Sequence, residues 1–225
     1  MQGSVGVHAL PITVDYGGRE ITITPTVTET ARGLVLLDVG PRGAVETLET
    51  HLRNLGYELE DVWLVALTHH DGDHAAGLAE LLERVDAVVA CHRDEVPYLS
   101  GERDPIKGDG DRYPPVEVDL ELADGVRIST LAGPMEVVAT PGHSPGHISL
   151  YFPDGNLLIA GDALVADGDE PLAGPKPHFT PEMDRAAESV AALGALDVDH
   201  TLCFHGGYVD RGTERIRDIH DRLRE

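Results

Sequence analysis

The sequence predicts an α/β fold, on three observations. Short, continuously apolar runs such as Val62-Trp63-Leu64-Val65-Ala66-Leu67 have the length and β-branched content of buried strands. Between them lie stretches with apolar residues at helical spacing, for example Val45, Leu48, Leu52 and Leu55. Hairpin signals at Tyr16-Gly17-Gly18-Arg19 and Pro153-Asp154-Gly155-Asn156 add antiparallel pairs to the alternating pattern. The chain has 225 residues, 41% of them hydrophobic and spread along its length, enough for a sizeable core. No repeat and no long linker interrupts it, so residues 1–225 are read as a single domain.

In chain order, residues 10–14 and 20–28 read as a hairpin, and Leu34 to Asp38 as a buried strand ending at Gly40-Pro41. A helix over 44–55 stops at Gly56. The strand over 62–67 runs into Thr68-His69-His70-Asp71-Gly72-Asp73-His74, after which Leu78, Leu81 and Leu82 mark a helix. Ala87 to Cys91 is a further strand, and the Gly-, Pro- and Asp-rich stretch 101–115 a loop. Strands follow at 116–122, 126–131, 135–139, 148–152 and 157–160, then a second Gly/Pro/Asp loop over 165–181. Pro181-Glu182-Met183 opens a helix to about Leu193, with Pro at an early helical position. Thr201 to Phe204 is a last strand, and 212–224 a C-terminal helix.

Seventeen basic residues against 40 acidic ones give a net charge of −23. Such a surface disfavours nucleic acid, whose phosphates need cations, and anionic lipid. No apolar run approaches the ~20 residues of a membrane helix, and Met1 to Leu10 lacks the pattern of a signal peptide. A cytoplasmic protein with a small-molecule substrate is expected, without a nucleic-acid or membrane partner; a homodimer stays open. The carboxylates are dispersed rather than gathered in a tail, and only Lys107 and Lys176 are lysines, which together point to a halophilic adaptation. Cys91 and Cys203 sit in apolar runs and read as buried free thiols.

The histidines and aspartates concentrate after strands, in glycine-bearing loops: His69, Asp71, Asp73 and His74, then His143, Asp162 and His205. Loops at strand ends let a rigid sheet aim several side chains at one point. Imidazole nitrogens mixed with carboxylate oxygens suit zinc, iron or manganese, and seven donors exceed one tetrahedral site. They suffice for two metals ~3.5–4 Å apart.

The ordered set Thr68-His69-His70-Asp71-Gly72-Asp73-His74, Thr140-Pro141-Gly142-His143, Gly161-Asp162 and His205-Gly206, with Leu36-Leu37-Asp38-Val39-Gly40 upstream, resembles the metallo-β-lactamase superfamily. The likeness covers about residues 10–210. It implies a four-layer αββα sandwich of two mixed sheets flanked by helices. It also implies two divalent metal ions, zinc first and iron or manganese as competitors. His69, Asp71 and His143 would hold one metal and Asp73, His74 and His205 the other, with Asp162 bridging. One position departs from the family signature: Asp71 stands where a histidine is usual. A carboxylate there still coordinates, but it reaches less far, adds negative charge and strengthens the case for iron or manganese. The implied activity is hydrolysis by a metal-bridging hydroxide of a thioester, ester or lactone, with Asp73 as the catalytic residue that orients the hydroxide and passes a proton to the leaving group. An iron-dependent redox member acting on persulfides is the alternative, and a phosphodiesterase or nuclease a more distant one.

Among the remaining residues, His70 is out of phase with the signature and is expected exposed or behind the ligands. His147 and Asp38 are expected to support ligands rather than bind metal. His178 and Tyr113 belong to surface loops. His8, His51, His92, His200 and His220 read as ordinary surface or packing histidines, and Trp63 as core. The charge reading makes a testable prediction. Screening at 1 M salt shortens to about 3 Å, so repulsion among the 40 carboxylates relaxes there. The thermal midpoint should rise from dilute buffer to molar salt; an unchanged midpoint contradicts a high-salt adaptation.

Overall fold

Period-two alternation along the strands builds the layers of this fold. The structure, a computed structural model, describes residues 6–107, 112–168 and 171–224. Parts of both predicted Gly/Pro/Asp loops, 108–111 and 169–170, and the first five residues of the N-terminal segment, lie outside that description. The strands are β1 (Val7–Ala9), β2 (Ile12–Tyr16), β3 (Arg19–Ile23), β4 (Thr26–Thr30), β5 (Gly33–Leu37), β6 (Val62–Ala66), β7 (Val88–His92), β8 (Leu120–Leu122), β9 (Arg127–Thr130), β10 (Gly133–Ala139), β11 (Ile148–Phe152), β12 (Leu157–Gly161), β13 (His200–Cys203) and β14 (Gly207–Val209). The helices are α1 (Val45–Leu55), α2 (Gly72–Ala75), α3 (Leu78–Leu82), α4 (Val96–Leu99), α5 (Met183–Leu193) and α6 (Thr213–Leu223).

One six-stranded sheet runs β1-β4-β5-β6-β7-β8, the other β14-β13-β12-β11-β10-β9, and β2 with β3 forms a separate hairpin. Val35 and Leu37 of β5, Leu64 and Ala66 of β6 and Ala90 of β7 face the second sheet, where Val137, Ile148, Leu150, Phe152 and Ile159 meet them. The alternate residues Leu34, Leu36, Val65, Val89 and Cys91 point the other way, onto Val45, Leu48 and Leu52 of α1 and Leu78 and Leu81 of α3. On the far side, Leu158, Ala160 and Cys203 pack under Val190 and Leu193 of α5 and Ile216 and Ile219 of α6. The result is the four-layer αββα sandwich the resemblance implied. Cys91 and Cys203 are buried and free. No helix among the described residues is long and apolar enough to cross a membrane.

Several segments differ from the sequence reading for local reasons. The strand expected over 20–28 breaks at Thr24-Pro25, because proline has no N–H for a ladder; β3 stays in the hairpin while β4 joins a large sheet. The strand expected over 116–122 pairs only at Leu120–Leu122. Before it, Val116 and Val118 pack on the core in extended chain, and Val116 N–H donates to Leu99 O. Pro181 lies before α5, not within its first turn, since Glu182 is the N-cap. Leu55 ends the stripe of α1 exposed rather than buried. Trp63 is half-buried: its indole N–H donates to Thr30 Oγ1 and the Arg32 guanidinium lies 4.6 Å over the ring. β1, α2, α4 and β14, all five residues or shorter, carry too little pattern to be read from sequence.

Strand direction gathers the chemistry. β5, β6 and β7 are parallel. β10 and β12 are each antiparallel to β11 and hence parallel to one another, and β13 is parallel to β12. The loops after β5, β6, β10, β12 and β13 therefore open at the carboxyl ends of their strands, and these are the loops that carry the candidate residues.

The packing makes a prediction. Leu150, 1% exposed between the sheets, should cost ~2–5 kcal/mol when cut to alanine, whereas Leu131, 58% exposed, should cost under ~0.5 kcal/mol. Urea unfolding midpoints of L150A and L131A decide it; equal shifts contradict the two-sheet core.

Candidate metal centre

Asp38 is the first constraint on the site. It follows β5 in a left-handed conformation, φ 59°, a strain of ~1–3 kcal/mol for a residue with a Cβ. The turn aims its buried carboxylate across to the next loop. There it accepts from Thr68 N–H at 2.8 Å, Thr68 Oγ1 at 2.8 Å and His74 Nδ1 at 2.9 Å. Because the Thr68 hydroxyl proton goes to Asp38, its oxygen accepts from His69 Nδ1 at 3.1 Å. Both imidazoles thus use Nδ1 for support and turn Nε2 toward the other candidate donors.

The second sheet supplies the other half. His147 Nε2 accepts from Asp162 N–H at 2.9 Å, so His147 Nδ1 carries the proton and gives it to Thr140 Oγ1 at 2.8 Å. The chain continues through Ser149 Oγ to Ala160 O. Burial, helped by the neighbouring His143, pushes the His147 imidazole down to about 3, so it stays neutral. Gly161 turns the chain there at φ +54°, and a Cβ would come within 2.7 Å of His147 Nε2. Gly206, φ +99°, lets the loop after His205 cross Ala166, whose carbonyl carbon would lie 2.2 Å from a Cβ.

All seven predicted residues are brought together. Donor atoms of His69, His143 and Asp162 lie within 4.8 Å of one another, and so do those of Asp73, His74 and His205. Asp71 Oδ2 joins the first group, 3.2 Å from His69 Nε2 and 3.1 Å from His143 Nε2. Asp162 stands between the groups: Oδ1 is 3.3 Å from His74 Nε2, and Oδ2 is 3.3 Å from His143 Nε2 and 3.4 Å from His205 Nε2. Asp73 Oδ2 is 3.2 Å from His205 Nε2.

Electrostatics show what this cluster wants. Burial alone would lower His74 and His205, but the carboxylates win. Asp38, Asp162 and Asp73 hold His74 well above its ordinary value, and Asp162 and Asp73 raise His205 to about 10. Burial also opposes ionisation of Asp71 and Asp162, yet His69, His143 and Lys107 hold Asp71, and His205, His74 and His143 hold Asp162, well below the carboxylate range. His69 goes the other way: burial and the charge of His74 push it well down. The field favours positive charge on one side and a neutral, lone-pair-bearing imidazole on the other.

The donor set fits divalent metal on a direct observation. His69 Nε2, His74 Nε2, Asp71 Oδ1 and Asp162 Oδ1 are buried and have no hydrogen-bond partner. Such atoms cost ~1–3 kcal/mol each unless something satisfies them, and four converge here.

Of the two expectations for His70, exposed or behind the ligands, the exposed one is not met: the side chain is fully buried, and its ring Nδ1 meets Glu95. Tyr113 leaves the surface as well, its hydroxyl donating to His70 O at 2.6 Å. His178 is exposed and meets the Phe179 ring edge-on. His8, His51 and His200 take Glu29, the Pro11 carbonyl and Asp210 as partners, away from the seven. Sequence reasoning missed Lys107, whose ammonium donates to Asp71 Oδ2 at 2.5 Å and to the carbonyls of His143 and Phe179. Its rarity, one of two lysines in the chain, was the available signal.

Comparison with known proteins agrees with this geometry. The family model of the metallo-beta-lactamase superfamily matches residues 23–205. A Bacillus subtilis (strain 168) protein named a probable metallo-hydrolase is 30% identical over 205 residues, covering 76% of this chain and 75% of that one. A hydroxyacylglutathione hydrolase of Cereibacter sphaeroides is 36% identical over 139 residues, 62% of this chain; the match spans 46% of the hydrolase, about half its length. In fold, the chain is similar to a metallo-beta-lactamase family protein of Thermus thermophilus, with TM-score 0.77 and 24% identity over 98% of this chain and 80% of that one. With the motifs in order at the ends of the expected strands, this chain belongs to the metallo-beta-lactamase superfamily and is one of its metallo-hydrolases.

Proposed function

We propose that the protein hydrolyses a small-molecule thioester, with esters and lactones as the nearest alternative substrates, using two divalent metals. One observation carries the reading: Asp162 stands between two groups of donors, its Oδ2 beside both His143 and His205 and its Oδ1 beside His74, while His69 Nε2, His74 Nε2, Asp71 Oδ1 and Asp162 Oδ1 are buried without hydrogen-bond partners. His69, Asp71 and His143 would hold one metal, Asp73, His74 and His205 the other, and Asp162 would touch both. Zinc suits the four imidazoles, and the Asp71 carboxylate leaves room for iron or manganese. When bound, the pair supplies a water acidified from 15.7 toward ~7 and a Lewis acid for the carbonyl under attack.

The chain's own residues do the rest. Asp38 and Thr68 fix the His69 and His74 rings so that Nε2 faces the site. The His147 relay holds the Asp162 backbone. Asp73, with its side chain 35% exposed, is the most open of the seven and sits where the reacting atoms can reach it; its Oδ2 can take a proton and return it to the departing thiolate or alkoxide. Lys107 balances the charge of Asp71, and its ammonium also lies against His143 Nε2. The similarity to a hydroxyacylglutathione hydrolase supports a thioester, and the net charge of −23 weighs against a polyanionic substrate.

Elemental analysis with a panel of thioesters, lactones and phosphodiesters tests the reading. Metal in H143A and D162A should fall below that of the unaltered chain and turnover should vanish; full occupancy in both contradicts the assignment. Retained iron with oxygen consumption would favour a redox enzyme instead.

Asp71 is the second point of test. D71A should lose about one metal equivalent per chain, while D71H should keep it and shift preference toward zinc, because imidazole is the softer donor. A metal-bound structure with the Asp71 carboxylate in solvent contradicts this role.

A further inference from the structure

One buried carboxylate outside the seven ties the two halves of the first metal group together. Glu95 immediately precedes α4 and is 0% exposed. Its Oε2 accepts from His70 N–H at 2.9 Å and, in a short contact, from His70 Nδ1. Its Oε1 accepts from Ser144 Oγ at 2.7 Å and from Gly146 N–H at 2.6 Å. His70 lies between His69 and Asp71, and Ser144 follows His143. One oxygen therefore grips the loop after β6 and the other the loop after β10, which belong to different sheets.

The arrangement is built to hold. The His70 ring stacks on Tyr98 at 4.1 Å and 11°, and its Nε2 accepts from Ile106 N–H at 3.4 Å, so Nδ1 is the donor to Glu95. Gly146 admits the carboxylate: a Cβ there would lie 3.0 Å from Glu95 Oε1. Four hydrogen bonds on one buried carboxyl group leave it little freedom. The second metal group shows no such bond to Glu95; Asp38 holds His74, and His205 follows β13.

We propose that Glu95 is a positioning residue for the first metal site, setting the distance between His69 with Asp71 and His143 through His70 and Ser144. The inference rests on the two-metal reading above. It predicts an asymmetric defect, since loosening this tie spreads the first donor group and leaves the second alone.

The test uses cobalt-loaded full-length protein, unaltered and as E95Q and S144A. It reads metal retained after dialysis against a weak chelator, the visible cobalt spectrum, and the thermal midpoint without metal. A glutamine can still accept from one loop, but its NH2 meets the N–H donors of the other. E95Q should weaken the first site by about 10–100-fold, the range for outer partners of metal ligands, and keep about one cobalt per chain with the spectrum of the second site unchanged. S144A, which removes one of the four bonds, should weaken the same site by less. E95Q holding two cobalt ions with unaltered affinity and spectrum overturns the proposal. So does loss of both sites in step with the thermal midpoint, the mark of a general structural role. If E95Q does not fold, S144A decides: selective weakening of the first site supports the proposal, and no change overturns it. Failure of the unaltered protein to take up two cobalt ions overturns the two-metal reading itself and this inference with it, and is distinguished by appearing without any substitution.

Discussion

Four histidines and three aspartates meet at one largely buried edge of two sheets, and their mutual electrostatics govern this structure. Carboxylates out of water need cations or donors, and imidazoles so close to one another resist protonation together. Asp162 sits at the balance point, flanked by His74, His143 and His205. Asp38, Thr68 and His147 support the cluster from behind and Lys107 meets Asp71 and His143, yet His69 Nε2, His74 Nε2, Asp71 Oδ1 and Asp162 Oδ1 keep no hydrogen-bond partner. Buried imidazole nitrogens and carboxylate oxygens in this mixture are donors that suit divalent metals. That is why the donor chemistry, rather than any pocket shape, argues for metal.

Rigidity is the other requirement, and it comes from the layers. Each candidate loop follows a strand paired on both sides within one of the two sheets, so the loops inherit fixed origins. Within the loops, cost is accepted where aim matters: Asp38 is held at a positive φ, and Gly161 turns tightly against His147. Supports run between sheets as well as within them, through Glu95 to both metal loops. The site is thus fixed by side chains that do not themselves contribute donors.

Much of this was legible in the sequence. The buried strands at 34–37, 62–66 and 157–160 are continuous apolar runs whose pattern depends on burial on both faces alone, and 148–152 departs from one only at Ser149. The seven candidates stood out because they follow such runs in order, and Asp38 and His147 because they adjoin them. The remainder depends on tertiary contact. Glu95 looks like any surface acid among 40 until His70 and Ser144 close on it. The phase of His70 set it apart from the signature but left open whether it lies exposed or behind the ligands; only the packing of its ring against Tyr98 decides for burial. The break at Pro25 was readable, since a missing N–H forbids a long strand, but alternation on either side masked it.

The central claim is that two metals lie across Asp162. Anomalous diffraction at a metal edge from crystals of the metal-loaded protein tests it most directly. Two peaks ~3.5–4 Å apart are expected, one beside His69, Asp71 and His143, the other beside Asp73, His74 and His205, with an Asp162 oxygen in reach of both. A single peak, or a pair that Asp162 does not touch, would contradict it.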